Sequence, residues 1–453
     1  DYERIGAMGR ALRDKALKAI SANIATDRDT LVVFNQLGIA RSDLVEFELP
    51  EGYADDVSVM DSQGNVYPVQ INGNTGVFYA ANIPARGYRC FSLTYTKAAD
   101  TPNDLYVDKN LISNPYYTIM LDDNANIVSI YDKKAGREVL QPGGVARLIA
   151  FEDKPLAYDA WDINIYYQHK SWNVDDVRSV QVVETGPVRG VLRVTRAFCD
   201  SEIITDICVY QDNPRIDFKT RIDWKEKQVL LKAAFPVDVH AEKAVYEIQY
   251  GNVERPTHWN TSWDYAKFEV CAHKWADLSE DGYGVSLLND CKYGHDIKDG
   301  VMRLTLLKSA AWPNVNADRE VHEFTYSLYP HAGSWRDSGT VQEAYKLNNP
   351  VIAVYEKAHP GGLAKEFSLV WLDKENVVIE AVKKAEDSGD IIVRLYECYN
   401  RRARVKLTFC QPILQAWECD MLENEEIGMD IDGNSFEFEI KPYEIKTFKI
   451  KAR

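Results

Sequence analysis

The sequence lacks the features that mark membrane-spanning and nucleic-acid-binding proteins. No apolar run approaches the ~18 residues that a membrane-spanning helix needs. The 53 lysines and arginines are outnumbered by 69 acidic residues, and the formal net charge is -16. Binding to nucleic acid or to an anionic membrane requires a basic surface. We therefore expect neither partner, whereas the acidity is compatible with a neutral ligand such as a sugar.

Cysteine is scarce, and no two cysteines form a CxxC pair. The chain has 8 cysteines in 453 residues, a scattering typical of buried thiols in a reducing compartment rather than of a disulfide framework. The sequence also begins without Met and without the apolar segment of a signal peptide. We predict a cytoplasmic protein and expect the chain to be a portion of a longer one.

Common catalytic and metal-binding motifs are also absent. The chain has no GxSxG nucleophile turn, no GxGxxG or GxxxxGK phosphate loop, and no HExxH. The nearest approach to a metal-ligand group is His273, His295, Asp277 and Asp290, which lie close in sequence. No two histidines have the i, i+4 spacing of a zinc-binding helix. We therefore predict that this chain binds no metal.

The fold class follows from the periodicity of apolar residues. The first segment has an apolar stripe at helical spacing, and nearly all of the remaining chain alternates with period two. We predict a mainly β protein with a short N-terminal helix from a helical bundle, a small β-sandwich, a large two-layer β-sandwich and a C-terminal β-sandwich. The helix could alternatively dock on the β domains. The predicted boundaries are 1–26, 27–102, 103–340 and 341–453, with a seam at "TPND" (101–104).

One acidic and aromatic segment, "KPLAYDAWDINIYYQHK" (154–170), is a candidate site. In it Asp159 and Asp162 flank Trp161. Glycoside hydrolysis uses two carboxylates about 5 to 9 Å apart, and an indole ring can stack on the C–H face of a sugar. The segment could therefore act in catalysis, line a sugar-facing cleft, or be an ordinary loop tip.

A second candidate is the segment "RPTHWNTSWDYAKF" (255–268). It combines His258, Asn260 and Asp264 with several aromatic residues. Loops with this many hydrogen-bonding and stacking groups often bind ligands. A packed aromatic corner between strands would have the same composition, and both interpretations stay open.

Longer stretches resemble a known family. "RPTHWNTSWDYAKFEVCAHKWADLSEDGYGVSLLNDCKYG", "MRLTLLKSAAWPN", "ADREVHEFTYSLYPHAG", "LDDNANIVSIYDKKAGREVL" and "YDAWDINIYY" closely resemble the C-terminal half of glycoside hydrolase family 38 α-mannosidases. The cytosolic and bacterial branch is the most similar. The resemblance covers essentially the whole chain.

The resemblance implies a zinc-dependent retaining α-mannosidase whose zinc ligands and catalytic aspartates lie upstream. This chain would then hold no catalytic or metal residue, would be inactive alone, and would include a galactose-mutarotase-like supersandwich at 103–340. The implied partners are a mannose-containing oligosaccharide and the protein's own N-terminal catalytic domain, and a homo-oligomer is possible. By their chemistry, the candidates for the rim of the substrate pocket are Asp159, Trp161, Asp162, His258, Asn260 and Asp264.

Two other functions remain open at this point. The chain could be a freestanding carbohydrate-binding β protein that holds glycans on its aromatic loops without hydrolysing them. It could also be a mutarotase-type enzyme, which needs a histidine and a glutamate that converge as acid and base. The pairs to test for that chemistry are His258 with Glu269 and His273 with Glu254.

Overall fold

The chain folds into two compact units of β structure. The computed structural model describes residues 1–53, 56–98 and 103–452. The first unit combines the described residues before 101 with those after 348, and the second contains those between 103 and 348. The predicted mainly β class is confirmed. Of the predicted seam at 101–104, residues 101 and 102 lie outside the described residues.

Helix α1 spans Tyr2–Ser21, as the helical spacing predicts. Its last turn docks on the first unit, because Leu17 packs against a buried apolar cluster that includes Val32. Its earlier turns expose large apolar side chains such as Ile5 and Leu12. The bundle partner that we predicted for this stripe stays a prediction.

The strands that follow α1 form a small sandwich. Strand β2 alternates between buried and more exposed residues, as a half-covered strand does. Strands β1, β7, β3 and β4 are neighbours in one sheet and β2, β6 and β5 in a second, and one apolar core fills the space between the two sheets. Their bounds are β1 Thr30–Asn35, β2 Arg41–Glu48, β3 Ser58–Asp61, β4 Val66–Pro68, β5 Gln70–Asn72, β6 Thr75–Ile83 and β7 Gly87–Thr94.

The second unit contains the large sandwich. In its described residues, β15 to β18, β27, β24, β23, β20 and β21 form a nine-stranded antiparallel sheet, and β14, β13, β19, β26, β25 and β22 form a six-stranded sheet. Both contribute to one large apolar core, in which Phe218 of the first sheet and Phe235 of the second place their rings 5.5 Å apart. Strands β12 to β8 form a smaller sheet at the same core.

The bounds in the second unit are β8 Tyr106–Val107, β9 Leu111–Ser113, β10 Tyr117–Leu121, β11 Ile127–Asp132, β12 Arg137–Glu138, β13 Arg147–Glu152, a 3-10 helix Ile165–His169, β14 Ser171–Asn173, β15 Asp176–Thr185, β16 Arg189–Phe198, β17 Ser201–Tyr210, β18 Ile216–Asp223, β19 Val229–Pro236, β20 Lys243–Ile248, β21 Gly251–Pro256, α2 Ser262–Tyr265, β22 Val270–Cys271, β23 Trp275–Glu280, β24 Tyr283–Asn289, β25 Gly294–Lys298, β26 Val301–Lys308, β27 Val321–Ala332 and α3 Thr340–Asn348.

The rest of the first unit is a C-terminal sandwich. Strands β30, β33, β37 and β36 form one sheet and β31, β32, β38, β34 and β35 the other, around a core with three mutually packed phenylalanine rings. The bounds are β28 Ile352–Glu356, β29 Glu366–Ser368, β30 Val370–Leu372, β31 Val377–Lys384, β32 Ile391–Glu397, β33 Ala403–Phe409, β34 Ile413–Cys419, β35 Glu425–Gly428, β36 Ile431–Asp432, β37 Ser435–Ile440 and β38 Ile445–Ala452.

The segment predicted as one domain, 341–453, is divided in the structure. Helix α3 belongs to the second unit, where the Asn348 side chain donates to the carbonyl of Asn289 at 2.9 Å. Strand β28 then pairs with β1, and β29 with β7, in the small sandwich. The C-terminal sandwich therefore begins at β30. Alternation in the sequence identifies strands but does not reveal which distant strand each one pairs with.

Candidate functional site

The outer face of the six-stranded sheet carries an unusual set of charged residues. On β19 the side chains alternate, and Leu231, Ala233 and Phe235 enter the main core. Lys232 must therefore point to the opposite face, where it is nevertheless completely buried. The 3-10 helix and the segment before β22 supply contacts on this face, since Tyr167 and Glu269 both bond to Lys232.

Four charges and one phenol form a connected network there. The Lys232 Nζ atom lies 2.6 Å from the Asp296 carboxylate and 3.2 Å from the Tyr167 hydroxyl, and it also forms an ion pair with Glu269. Tyr167 donates its hydroxyl proton to Glu269 at 2.7 Å. Arg303 donates to the other Asp296 oxygen at 2.6 Å. The two cations and two carboxylates thus balance within a largely buried space.

Burial shifts the proton affinities in this region. Burial, the largest effect, lowers the pKa of Lys232 to about 8, although Asp296 opposes the shift. Burial also raises the pKa of Tyr167 far above its usual range. Close by, burial raises the pKa of Asp153, against the effect of Lys308, whose ammonium group lies 2.5 Å away. A lysine in such an environment is stabilised by its partners and not by solvent.

An apolar cluster covers the network and joins the two segments singled out in the sequence. The Tyr167 ring meets Phe151 edge-on at 5.2 Å and lies 6.5 Å from Phe268. Ile163, within the first candidate segment, packs on the same cluster, and so does Phe268, the last residue of the second segment. The structure therefore brings segments 154–170 and 255–268 to one region of the second unit.

Asp159 is anchored inward and not directed at solvent. One carboxylate oxygen accepts the backbone N–H of Ala311 at 2.6 Å, and its carbonyl accepts from Lys308 at 2.8 Å. The other carboxylate oxygen is buried without a hydrogen-bond partner among the described residues. Asp162 is exposed, and its carboxylate accepts the N–H of the next residue, Ile163. The two aspartates therefore have different surroundings.

Trp161 offers an exposed aromatic surface beside them. It is 69% exposed, and its ring meets the exposed ring of Trp312 edge-on at 5.7 Å. Trp312 lies 151 positions further along the chain and was not among the predicted site residues. Exposed indole faces in pairs are suited to stacking on apolar faces of a ligand.

The second candidate segment is a capped turn with polar side chains on one side. The Thr261 side chain caps the start of α2 by accepting the N–H of Asp264, and its hydroxyl donates to the Asp264 carboxylate at 2.8 Å. His258 lies 3.9 Å from that carboxylate, and the exposed residue Asn260 donates its backbone N–H to the His258 ring at 3.4 Å. Trp263 is 79% exposed. His258, Asn260 and Asp264 are thus brought together.

The predicted histidine–glutamate pairs have other partners in the structure. Glu269 belongs to the Lys232 network, whereas His258 faces Asp264. His273 packs on the Tyr293 ring at 5.2 Å. Glu254 forms an exposed ion pair with a lysine. We derive no acid–base chemistry from either pair.

The predicted nearest approach to a metal-ligand group does not fit a zinc ion in the structure; it consists of His273, Asp277, Asp290 and His295. Asp277 is buried on the face of the nine-stranded sheet opposite the main core, where it accepts hydrogen bonds, one of them from His331. Burial lowers the pKa of His295 to about 4, and Asp290 accepts a backbone N–H at 2.8 Å. Within the described ranges, no three His, Cys, Asp or Glu residues are placed to hold a metal ion.

Comparisons with known proteins identify two matching family domains. The family 38 glycosyl hydrolase C-terminal domain matches residues 112–316, and the C-terminal beta sandwich domain of the same family matches residues 376–448. Among the helices described, none is long and apolar enough to cross a membrane.

Proteins similar to this chain include α-mannosidases. Alpha-mannosidase G of Dictyostelium discoideum is 37% identical over 382 residues, which cover 80% of this chain and 34% of that protein. Alpha-mannosidase 2C1 of Homo sapiens is 35% identical over 347 residues, 74% of this chain and 33% of that protein. An α-mannosidase structure from Enterococcus faecalis V583 has the same fold, with a TM-score of 0.79 and 17% identity over 99% of this chain and 59% of that one. The chain spans about a third of the length of these curated relatives.

Proposed function

The chain belongs to glycoside hydrolase family 38, whose C-terminal domains it carries, and from that premise we propose that it is the β-rich part of an α-mannosidase. The resemblance predicted from the sequence is confirmed by these matches. The proposed enzyme removes terminal α-linked mannose from glycans with retention of configuration. The observation that carries this proposal is the 37% identity to an α-mannosidase over most of the chain.

In this proposal the reacting groups belong to another part of the enzyme. The described residues do not fit a zinc ion, so zinc and the catalytic carboxylates would come from a catalytic domain of the same protein. Bound zinc would supply a Lewis acid that orients sugar hydroxyls. This chain supports that domain and, by itself, hydrolyses nothing. All eight cysteines are free thiols, which supports a cytoplasmic location.

The contribution of this chain to substrate binding is assigned to the two segments that share the Tyr167 cluster. Trp161, Asp162, His258, Asn260 and Asp264 remain our candidates for the pocket rim, while Asp159, which is anchored inward, would hold the first segment in place. Trp161 and Trp263 expose most of their indole surface, which suits stacking on sugar rings. The buried Lys232 network beneath them would hold both segments in fixed positions.

Steady-state kinetics test this assignment. In the full-length enzyme that contains this chain, Trp161→Ala and Trp263→Ala should each raise KM for an oligomannoside several-fold and leave kcat nearly unchanged, because a rim contact acts in ground and transition states alike. Trp172→Ala is the control, since Trp172 is a surface residue outside both segments. Unchanged KM in both variants would refute the rim assignment.

A freestanding carbohydrate-binding protein is a second candidate function. The exposed Trp161–Trp312 pair favours it, because such a surface can hold a glycan without hydrolysis. The test is calorimetric titration of the 453-residue chain with an oligomannoside. Affinity that Trp312→Ala abolishes would support this function, while the absence of heat at millimolar sugar would exclude it.

A further inference from the structure

A cleft in the first unit is separate from the residues discussed so far. It lies between the connection from β1 to β2 and the segment from β30 to the start of β31, and it has a volume of about 490 Å³. Pockets of roughly 300–1,000 Å³ are the usual size for small ligands. We call it the Trp371 cleft. Its walls include Gly38, Ala40, Ala85, Trp371, Asp373 and Glu375.

The walls of the Trp371 cleft are held in place by close contacts between the two sandwiches of the first unit. A Cβ atom on Gly38 would lie only 2.5 Å from the Cβ of Ile379, so the chain passes there at a distance that only glycine permits. Arg86 donates to the carbonyl of Ile379 at 2.9 Å, and the Ser368 hydroxyl donates to the carbonyl of Ala85 at 2.6 Å. The cleft is therefore preformed, which lowers the entropic cost of binding.

The chemistry of the walls narrows the class of ligand. Trp371 is 37% exposed and offers a flat apolar face. Next to it, the Asp373 carboxylate is fixed by the N–H of Lys406 at 2.8 Å and pairs with Lys374 at 3.2 Å. Glu375 adds a second carboxylate. Two carboxylates against one lysine disfavour an anion, and the charges disfavour a wholly apolar ligand.

A sugar ring fits these properties. It has an apolar C–H face that can stack on an indole, and hydroxyl groups that can donate to carboxylates and accept from an ammonium group. Gly38, Ala40 and Ala85 have side chains too small to fill the space opposite Trp371. We propose that the Trp371 cleft binds one residue of an oligosaccharide, with its C–H face on Trp371 and its hydroxyls on Asp373, Lys374 and Glu375. That the sugar is mannose rests on the proposed function, but the saccharide class does not.

Fluorine NMR of the 453-residue chain labelled with 5-fluorotryptophan tests the proposal. Trp371→Phe identifies the Trp371 resonance, which mannotriose should then shift saturably at concentrations up to about 10 mM, in the range of weak single-site binding. Ala40→Tyr fills the cleft from the opposite wall and should abolish the shift even though Trp371 is intact. Trp172→Ala should leave it unchanged, because Trp172 is similarly exposed, at 39%, but lies outside the cleft.

A parallel titration with maltotriose, which contains no mannose, distinguishes failure of the saccharide site from failure of the proposed α-mannosidase function. A Trp371 shift with maltotriose alone would keep the saccharide site and overturn mannose as its ligand. A shift that survives Ala40→Tyr, or no shift with either sugar, would overturn the site itself. Neither result would bear on hydrolysis by the full-length enzyme, which is measured separately.

Discussion

Asp296→Asn should destabilise the second unit strongly, although it changes only one oxygen to nitrogen. Asp296 is buried between Lys232 and Arg303, with one carboxylate oxygen 2.6 Å from each. The amide that replaces it keeps a single acceptor oxygen and no charge. Lys232 would then keep its ion pair with Glu269, whereas Arg303 would lose its ion pair with Asp296.

The size of this destabilisation is estimated from one lost hydrogen bond and from the cost of deprotonating Lys232. A hydrogen bond to a charged group contributes about 1.5–3 kcal/mol, and one of the two is lost. Lys232 can respond to the loss of the Asp296 charge by releasing its proton. Because its pKa is about 8, release at pH 7 costs roughly 1.4 kcal/mol. Together these give about 3–4 kcal/mol, within the range for breaking a buried ion pair.

The loss of folding stability caused by Asp296→Asn should depend on pH in a defined direction. The folded pKa of Lys232, about 8, lies below its unfolded value of about 10.4. The folded state therefore binds fewer protons between these values, and wild-type stability rises with pH through that window. In Asp296→Asn the folded pKa of Lys232 falls further, so the rise of folding stability with pH begins at a lower pH. The difference between the two proteins should be largest below about pH 7 and smallest above about pH 9.

Urea denaturation followed by tryptophan fluorescence measures this difference, because eight of the ten tryptophans lie in the second unit. Asp299→Asn is the matched control. Asp299 lies just after β25, is 75% exposed and is 3.5 Å from Lys298, so its loss should change the free energy of unfolding by less than about 0.5 kcal/mol. A loss below about 1 kcal/mol for Asp296→Asn, or one independent of pH, would refute this account of the network.

Three further outcomes follow from individual contacts. Gly38→Ala should destabilise the first unit by about 1–3 kcal/mol through the clash with Ile379. Gly9→Ala is the control and should be neutral or slightly stabilising, because a Cβ atom there meets nothing within 4 Å. Thermal unfolding of both variants measures the difference. Asp159→Ala should cost about 1–2 kcal/mol because it leaves the Ala311 N–H unpaired, but exposed Asp162 should tolerate the same change, and equal losses in urea denaturation would contradict the different surroundings. Thiol titration of the unfolded chain without reductant should find eight free cysteines, and a lower count would argue against a reducing compartment.

Local features of the fold were predictable from the sequence, and long-range partners were not. The apolar spacing predicts α1, and the alternation in β2 and the C-terminal strands predicts half-covered strands. The apolar residues of β28 could not show that this strand pairs with β1, more than 300 residues earlier. Pairing depends on contacts between distant segments, which periodicity does not encode.

The candidate site shows the same division. Residue types alone indicated the two aromatic and acidic segments, and the structure joins them through Tyr167 and its apolar neighbours. The Lys232 network was missed, although a lysine inside the apolar strand "VLLKAAFP" was a visible signal. Its partners Glu269 and Asp296 lie 37 and 64 positions away in the chain, so only the fold could reveal the charge balance.

The most direct test of the central claim is hydrolysis of an aryl α-mannoside by the 453-residue chain, with zinc added and enzyme at high concentration. The account assigns the zinc and the reacting carboxylates to another part of the enzyme, so it predicts no aryl alcohol release above the buffer rate. A parallel sample of the full-length enzyme should release it readily. Zinc-dependent turnover by the 453-residue chain would contradict the account, because a complete catalytic site would then lie within these residues.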